Sequence, residues 1–103
     1  MNKLPKDCSN LDEVRNEIDL IDKEIINLIA ERLDFVKEVV KYRPAQQKEV
    51  PDNIRYLKVI QMRGEWAKEA GLNPTVIEDM YTRLIQYFIE EQAAIAKLEN
   101  KLT

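Results

Sequence analysis

The sequence contains no histidine and only one cysteine, Cys8, among its 103 residues. It therefore lacks the usual ligand set of a zinc site, the Ser-His and Cys-His pairs of nucleophilic catalysis, and imidazole as a general base or pH switch. A single cysteine also cannot form an internal disulfide. These absences exclude the commonest forms of covalent and zinc-dependent catalysis.

The chain also lacks an excess of basic residues and any long apolar run. Sixteen Lys and Arg against nineteen Asp and Glu give a net charge of −3, so we do not expect nucleic-acid binding. The segment 1–5 leads directly into charged sequence, without a signal peptide or a membrane span, which predicts a cytoplasmic protein. With 45% hydrophobic and 34% charged residues, residues 1–103 are expected to form one globular domain.

Two glycines and four prolines divide the chain into three segments, each with helical periodicity. In the first, the run Ser9-Asn10-Leu11-Asp12 has the form of a capping box with Ser9 as N-cap and Asp12 reaching back. The helix should end before Pro44, with a polar loop over 42–50; about 33 residues would extend about 50 Å. Its apolar positions are spaced by three and four residues; they are Leu11, Val14, Ile18, Ile21, Ile25, Leu28, Phe35 and Val39.

The second and third segments carry their own start and stop signals. Pro51 and Asp52 open a helix that should end at Gly71 in a left-handed C-cap. Gly64 inside this helix has no explanation at the level of sequence. Asn73, followed by proline, is the expected N-cap of a third helix that runs to about position 98. The predicted fold is all-α, with three helices and a long first one.

The length of the first helix bears on the oligomeric state. A monomer of this size has a radius of gyration of about 13 Å, too small for two shorter helices to cover a seam of about 50 Å. A second copy of the chain can cover it, so we expect an intertwined homodimer in which the first helices pack along each other.

Two polar residues interrupt the apolar faces. Arg32 falls where the first helix should place a core residue, and burying its charge requires a carboxylate of the protein or an anionic ligand; the sequence leaves both open. Gln92 interrupts the apolar stripe of the third helix, where it is either an internally satisfied amide or a ligand-binding one.

Three further arginines accompany them. Arg15 borders the first-helix seam, Arg43 lies at the predicted exit of that helix, and Arg55 lies in the first turn of the second. Taken singly, each is typical of surface charge. Together with Arg32 and Gln92, and without a nucleophile or imidazole, they favour chemistry in which an anionic substrate rearranges under electrostatic and conformational control.

The sequence resembles the all-helical chorismate mutase family, and within it the isochorismate-pyruvate lyase branch. The resemblance extends over residues 7–95. The most specific part is an arginine, two Ile-Asp pairs and a second arginine along the first helix. The matching positions are Asp7, Cys8, Leu11, Val14, Arg15, Ile18, Asp19, Ile21, Asp22, Ile25, Arg32, Phe35, Val36, Lys37, Arg55, Trp66, Ala67, Gly71, Leu72, Glu91 and Gln92.

The resemblance implies an intertwined dimer with two sites shared between the chains, each binding chorismate or isochorismate without metal or cofactor. It implies that Arg15 is donated by the partner chain, that Arg32 binds a substrate carboxylate and that Gln92 donates to the ether oxygen. Arg55 matches the second-helix arginine that binds substrate. Arg43 stands where the family has a lysine that reaches the same ether oxygen.

Two features leave alternatives open. Arg43 replaces a lysine with a wider donor, and Tyr56 stands after Arg55 where the mutase branch has a carboxylate that meets the substrate hydroxyl. The predicted activity is therefore isochorismate-pyruvate lyase, chorismate mutase, or both. The alternative is a non-catalytic dimerisation or regulatory module, in which Arg32 and Gln92 only fix the helix register.

Overall fold

The computed structural model describes residues 3–43 and 53–102. These residues form three α-helices and no strand: α1 is Leu11–Val39, α2 is Asn53–Glu69 and α3 is Pro74–Leu102. The all-helical prediction is confirmed, although α3 ends four residues later than expected. The chain divides into two compact units, residues 1–35 and 36–103, and the boundary lies within α1.

The start of α1 corrects the predicted cap. Asn10, not Ser9, is the N-cap: its Oδ1 accepts the backbone N–H of Glu13 at 2.9 Å. Glu13 in turn accepts the backbone N–H of Ser9 at 2.7 Å and pairs with Lys3 at 3.2 Å. Asp12 was the wrong choice because a glutamate at the third helical position has the length to reach back, as in a capping box.

The remainder of the first unit presents an uncovered apolar face. No residue of α1 is buried, and Ile18 and Leu28 on its predicted seam are 50% and 62% exposed. Burial of such a stripe supplies most of the stability of an amphipathic helix. Among residues 3–43 and 53–102, nothing buries this stripe.

The end of α1 also differs from the prediction. The α-helix stops at Val39, and a 3-10 turn over Val40–Tyr42 follows, so Tyr42 lies in a helical turn and not in the predicted loop. Arg43 donates its backbone N–H to the Val40 carbonyl at 3.4 Å and is extended, as a residue before proline should be. The predicted loop over 44–50 and the predicted start of α2 at Pro51 and Asp52 lie outside the described residues.

The reversal between α2 and α3 agrees with the sequence at every capping position. Gly71 has a φ of 81°. Leu72 and Gly71 donate their backbone N–H groups to the carbonyls of Ala67 and Lys68 at 2.8 and 3.1 Å, which is the Schellman pattern. Asn73 Oδ1 then accepts the backbone N–H groups of residues 75 and 76 at 2.9 and 3.3 Å. One short segment therefore ends one helix and begins the next.

The two helices joined by this reversal pack antiparallel and form the core of the second unit. The buried apolar residues are Val40, Val59, Ala67, Ile85, Phe88 and Ala96, so the 3-10 turn after α1 contributes to the same core. Toward the reversal, the guanidinium of Arg63 lies 4.6 Å from the centroid of the Trp66 ring and 5.8 Å from that of Tyr81. These cation–π contacts of Arg63 thus continue the packing of α2 against α3 toward the reversal, where the side chains are only partly buried.

Candidate active site

Gln92 is the buried polar side chain around which the candidate site is built. It lies on α3 with only 5% of its surface exposed. Its Nε2 donates to the backbone carbonyl of Val36 at 2.8 Å. Val36 is in the last turn of α1, where a helix leaves carbonyl groups without intrahelical donors.

Tyr56 joins this amide to a cation. The Tyr56 hydroxyl donates to Oε1 of Gln92 at 3.2 Å and accepts from Nη2 of Arg43 at 3.3 Å. Tyr56 comes from the first turns of α2, Arg43 from the extended residue after the 3-10 turn and Gln92 from the middle of α3. Three separate parts of the second unit therefore meet at one partly buried hydroxyl.

Of the two cations in and directly after the 3-10 turn, Arg43 is the one that bonds to this group. Lys41, two residues before Arg43, is exposed and forms an ion pair with Glu38 at 2.9 Å, and the hydrogen bond that the lysine donates to this carboxylate raises the pKa of the lysine. The guanidinium of Arg43, joined through Tyr56 to a buried amide, is suited to an anion or to an oxygen on which negative charge develops. The arrangement offers hydrogen-bond donors and positive charge, but no nucleophile.

The other predicted site residues lie elsewhere. Arg15 is exposed and Arg32 is partly buried, both on the part of α1 that belongs to the first unit. Seventeen residues of one helix separate them, or about 26 Å, so one chain cannot bring both to the same small ligand. Arg55 is exposed in the first turn of α2, and it is not among the residues that bond Gln92.

The sequence did not predict the link between Arg43 and Gln92. In the sequence, Tyr56 is distinguished only by its departure from the mutase pattern. Its contacts depend on the antiparallel pairing of α2 with α3, which the sequence does not specify residue by residue. The Val36 carbonyl could not be found from residue type, since every residue has one. In the described part of the chain, no group of three or more Cys, Asp and Glu side chains is placed to hold a metal ion.

Comparison with known protein families decides the relationship. The family model described as chorismate mutase type II matches residues 14–93, which include Arg15, Arg32, Arg43, Arg55 and Gln92. The chain belongs to the chorismate mutase type II family. The family assignment made from the sequence is thereby confirmed.

Three similar proteins come from bacteria. An isochorismate pyruvate lyase of Pseudomonas aeruginosa is 32% identical over 90 residues, which are 87% of this chain and 88% of that protein. T-proteins of Haemophilus influenzae and Enterobacter agglomerans are 33% and 34% identical over 76 and 80 residues. The chain spans only about a fifth of each T-protein, 20% and 21% of their lengths.

No helix in the described residues combines the length and the apolar character that crossing a bilayer requires.

Proposed function

We propose that this chain is a pericyclic enzyme of chorismate metabolism, acting as an isochorismate-pyruvate lyase, a chorismate mutase or both. The observation that carries the proposal is the similarity to an isochorismate pyruvate lyase over 87% of this chain and 88% of that protein. The T-protein similarity covers the same family region but only a fifth of those proteins. We therefore place the lyase reaction first.

Both reactions break the same kind of bond. In the lyase reaction the C–O bond of the enolpyruvyl tail of isochorismate breaks while a ring hydrogen moves to the departing tail, which gives salicylate and pyruvate. In the mutase reaction the corresponding C–O bond of chorismate breaks while a C–C bond forms between the methylene carbon of the tail and another ring carbon, which gives prephenate. Neither passes a proton to a side chain, so a site of donors and cations can serve both through conformation and charge.

The contacts of Gln92 and Arg43 support the roles that we propose for them at the breaking bond. We assign the free donor capacity of Gln92 and the charge of Arg43 to the ether oxygen, on which negative charge develops. Their joint contact with Tyr56 supports a common location. Arg32 and Arg55 are assigned to substrate carboxylates, and Arg15 to the site of the other chain.

The uncovered face of α1 supports a homodimer. Apolar side chains at helical spacing remain about half exposed along this helix, and a second copy would bury them in the intertwined arrangement. Arg15 and Arg32 of one chain are about 26 Å apart, so they cannot contact the same small substrate. In such a dimer, the two arginines of one chain would serve different sites. Salicylate formation as the biological role, a cytoplasmic location and independence from metals and cofactors stay predictions.

A second function is a non-catalytic dimerisation or regulatory module. It is favoured by the fact that both polar ends of Gln92 already bond to protein groups, which is what a register-fixing network requires. Such a module needs no substrate. It would retain the dimer and lack turnover.

One assay separates the two. The purified protein is incubated with isochorismate and with chorismate, and salicylate, pyruvate and prephenate are followed separately. Turnover that is lost in Arg32→Ala and retained in Arg83→Ala, an exposed arginine on α3, supports the enzyme. A folded, dimeric protein that converts neither substrate supports the module.

A further inference from the structure

The hydrogen bonds through Tyr56 run in one direction. A guanidinium can only donate, so the Tyr56 oxygen accepts from Arg43 and turns its own proton toward Gln92. Oε1 of Gln92 accepts this proton, and Nε2 donates to the Val36 carbonyl. The permanent charge of Arg43 therefore sets the orientation of an amide that it does not touch directly.

This orientation determines what Gln92 can offer to a ligand. An amide has two N–H donors and one carbonyl oxygen, and Val36 takes one donor. The second N–H has no partner among the residues that the structure describes. A rotated amide would face its oxygen toward the Val36 carbonyl and would present an acceptor instead of a donor, which would repel an ether oxygen.

Burial makes the Tyr56 contact costly to lose. Gln92 is 5% exposed, so water cannot readily replace a missing donor at Oε1. A buried acceptor without a donor costs far more than the net gain of an ordinary hydrogen bond. Donors in series also polarise one another in a medium of low dielectric, which strengthens the final N–H as a donor.

We propose that Tyr56 is a positioning residue for the reaction: its hydroxyl couples Arg43 to Gln92 and fixes the amide with one N–H available to the substrate ether oxygen. The inference rests on the proposed function for its catalytic consequence. The hydrogen-bonded chain itself is a property of the protein without substrate. The two can therefore be tested separately.

The kinetic test compares two Tyr→Phe variants, each of which removes one hydroxyl. Tyr56→Phe should lower kcat about tenfold with little change in KM, because the lost interaction orients a donor that matters most in the transition state. Tyr87→Phe is the matched control, since Tyr87 is on α3, is 46% exposed and has no hydroxyl partner among the described residues. Equal kcat values for the parent and both variants would overturn the role in catalysis.

The second test needs no turnover. In Gln92→Glu, the Tyr56 hydroxyl donates to the introduced carboxylate and stabilises its charged form, which lowers its pKa. Adding Tyr56→Phe should raise the pKa of that carboxyl by about one pH unit. The pKa is measured by NMR titration of a carboxyl-labelled sample. Arg43 is present in both proteins, so its charge does not account for the difference. Tyr87→Phe in the same background should leave the pKa in place.

A third measurement covers the case in which Gln92→Glu does not fold. In the otherwise unchanged chain, Tyr56→Phe should shift the side-chain amide resonances of Gln92, and Tyr87→Phe should not. An unchanged amide signal or an unchanged carboxyl pKa would overturn the hydrogen-bonded chain. A shifted amide signal in a protein that converts neither substrate would support the hydrogen bonds from Arg43 through Tyr56 to Gln92 and refute the proposed function.

Discussion

Gly64 on α2 lies directly against the side chain of Glu78 on α3. A β-carbon built on Gly64 would lie 2.5 Å from Oε1, 2.8 Å from Cδ and 2.9 Å from Cγ of Glu78. The glycine that the sequence left unexplained thus makes room for a side chain of the neighbouring helix. The two glycines of the chain differ in this respect, because Gly71 has open space around it but a φ of 81°.

The effect of Gly64→Ala should depend on Glu78. In a Glu78→Ala background, Gly64→Ala should raise the free energy of unfolding by about 1 kcal/mol, the difference in helix propensity. In the parent the gain should be smaller or reversed, because the flexible Glu78 side chain must first move away. Urea unfolding of the four proteins of this double-mutant cycle measures the coupling. Additive effects would show that the contact has no energetic weight.

Gly71→Ala provides the contrast. It meets no steric obstacle, yet it forces a residue with a β-carbon into the left-handed region, so it should destabilise by about 1 kcal/mol in either background.

Arg43 should matter for turnover more than for folding. Arg43→Ala removes a cation at the ether oxygen and the donor to Tyr56, so kcat should fall by a factor of about 100 or more, with a nearly unchanged melting temperature. Arg43→Lys should preserve or improve the rate, because it restores the family's residue. Lys41→Ala is the control for general loss of positive charge in this turn. Parental turnover of both substrates by the Ala variant would show that the assignment of Arg43 is wrong.

A shared site predicts complementation between inactive variants. If each site takes Arg15 from one chain and Arg32 from the other, Arg15→Ala and Arg32→Ala homodimers should both be nearly inactive. In a mixed dimer, one site carries both substitutions and the other neither. Random assortment of equal amounts makes half of the dimers mixed, so about a quarter of parental activity should return after joint refolding.

The mixed dimers must be verified for this result to be interpreted, for example by purification through tags on the two chains. If each chain builds its own site, every site still lacks one arginine and no activity can return. Absence of recovery in purified mixed dimers would therefore exclude the shared site and the role assigned to Arg15.

The start of α1 should contribute stability that depends on pH. The backbone N–H of Ser9, followed by Lys3, lowers the pKa of Glu13 below its ordinary value of 4.5. A carboxyl with a depressed folded-state pKa stabilises fully above 4.5, and this contribution disappears as the pH falls through the folded-state value. Glu13→Gln should thus lower the melting temperature at neutral pH, with a difference that closes at acidic pH. Glu24→Gln, exposed in the middle of α1, is the control, and a pH-independent difference at Glu13 would contradict the expectation.

The sequence predicted those features that depend on near neighbours along the chain. The left-handed C-cap at Gly71 and the Asn73 cap were both predicted, because each is closed by residues within one turn. The cap of α1 was misplaced by one residue, since Ser9 and Asn10 are both good caps and side-chain reach decided between them. The contact of Tyr56 with Gln92 joins residues 36 apart, and the pairing that creates it depends on how two helices pack.

The closed reversal at Gly71, Leu72 and Asn73 fixes where α2 ends and where α3 begins. The position of every later residue of α3, and of every earlier residue of α2, then depends on its distance in sequence from this reversal. Each residue along a helix advances about 1.5 Å and turns about 100°. Tyr56 and Gln92 meet because the number of residues between each of them and the reversal places both side chains at the same height and on facing sides of the two helices. One residue inserted in α3 between the reversal and Gln92 would turn the amide by about 100° and away from the hydroxyl, even where every other side chain is kept. The segment of α3 between the reversal and Gln92 should therefore tolerate substitutions far better than insertions or deletions.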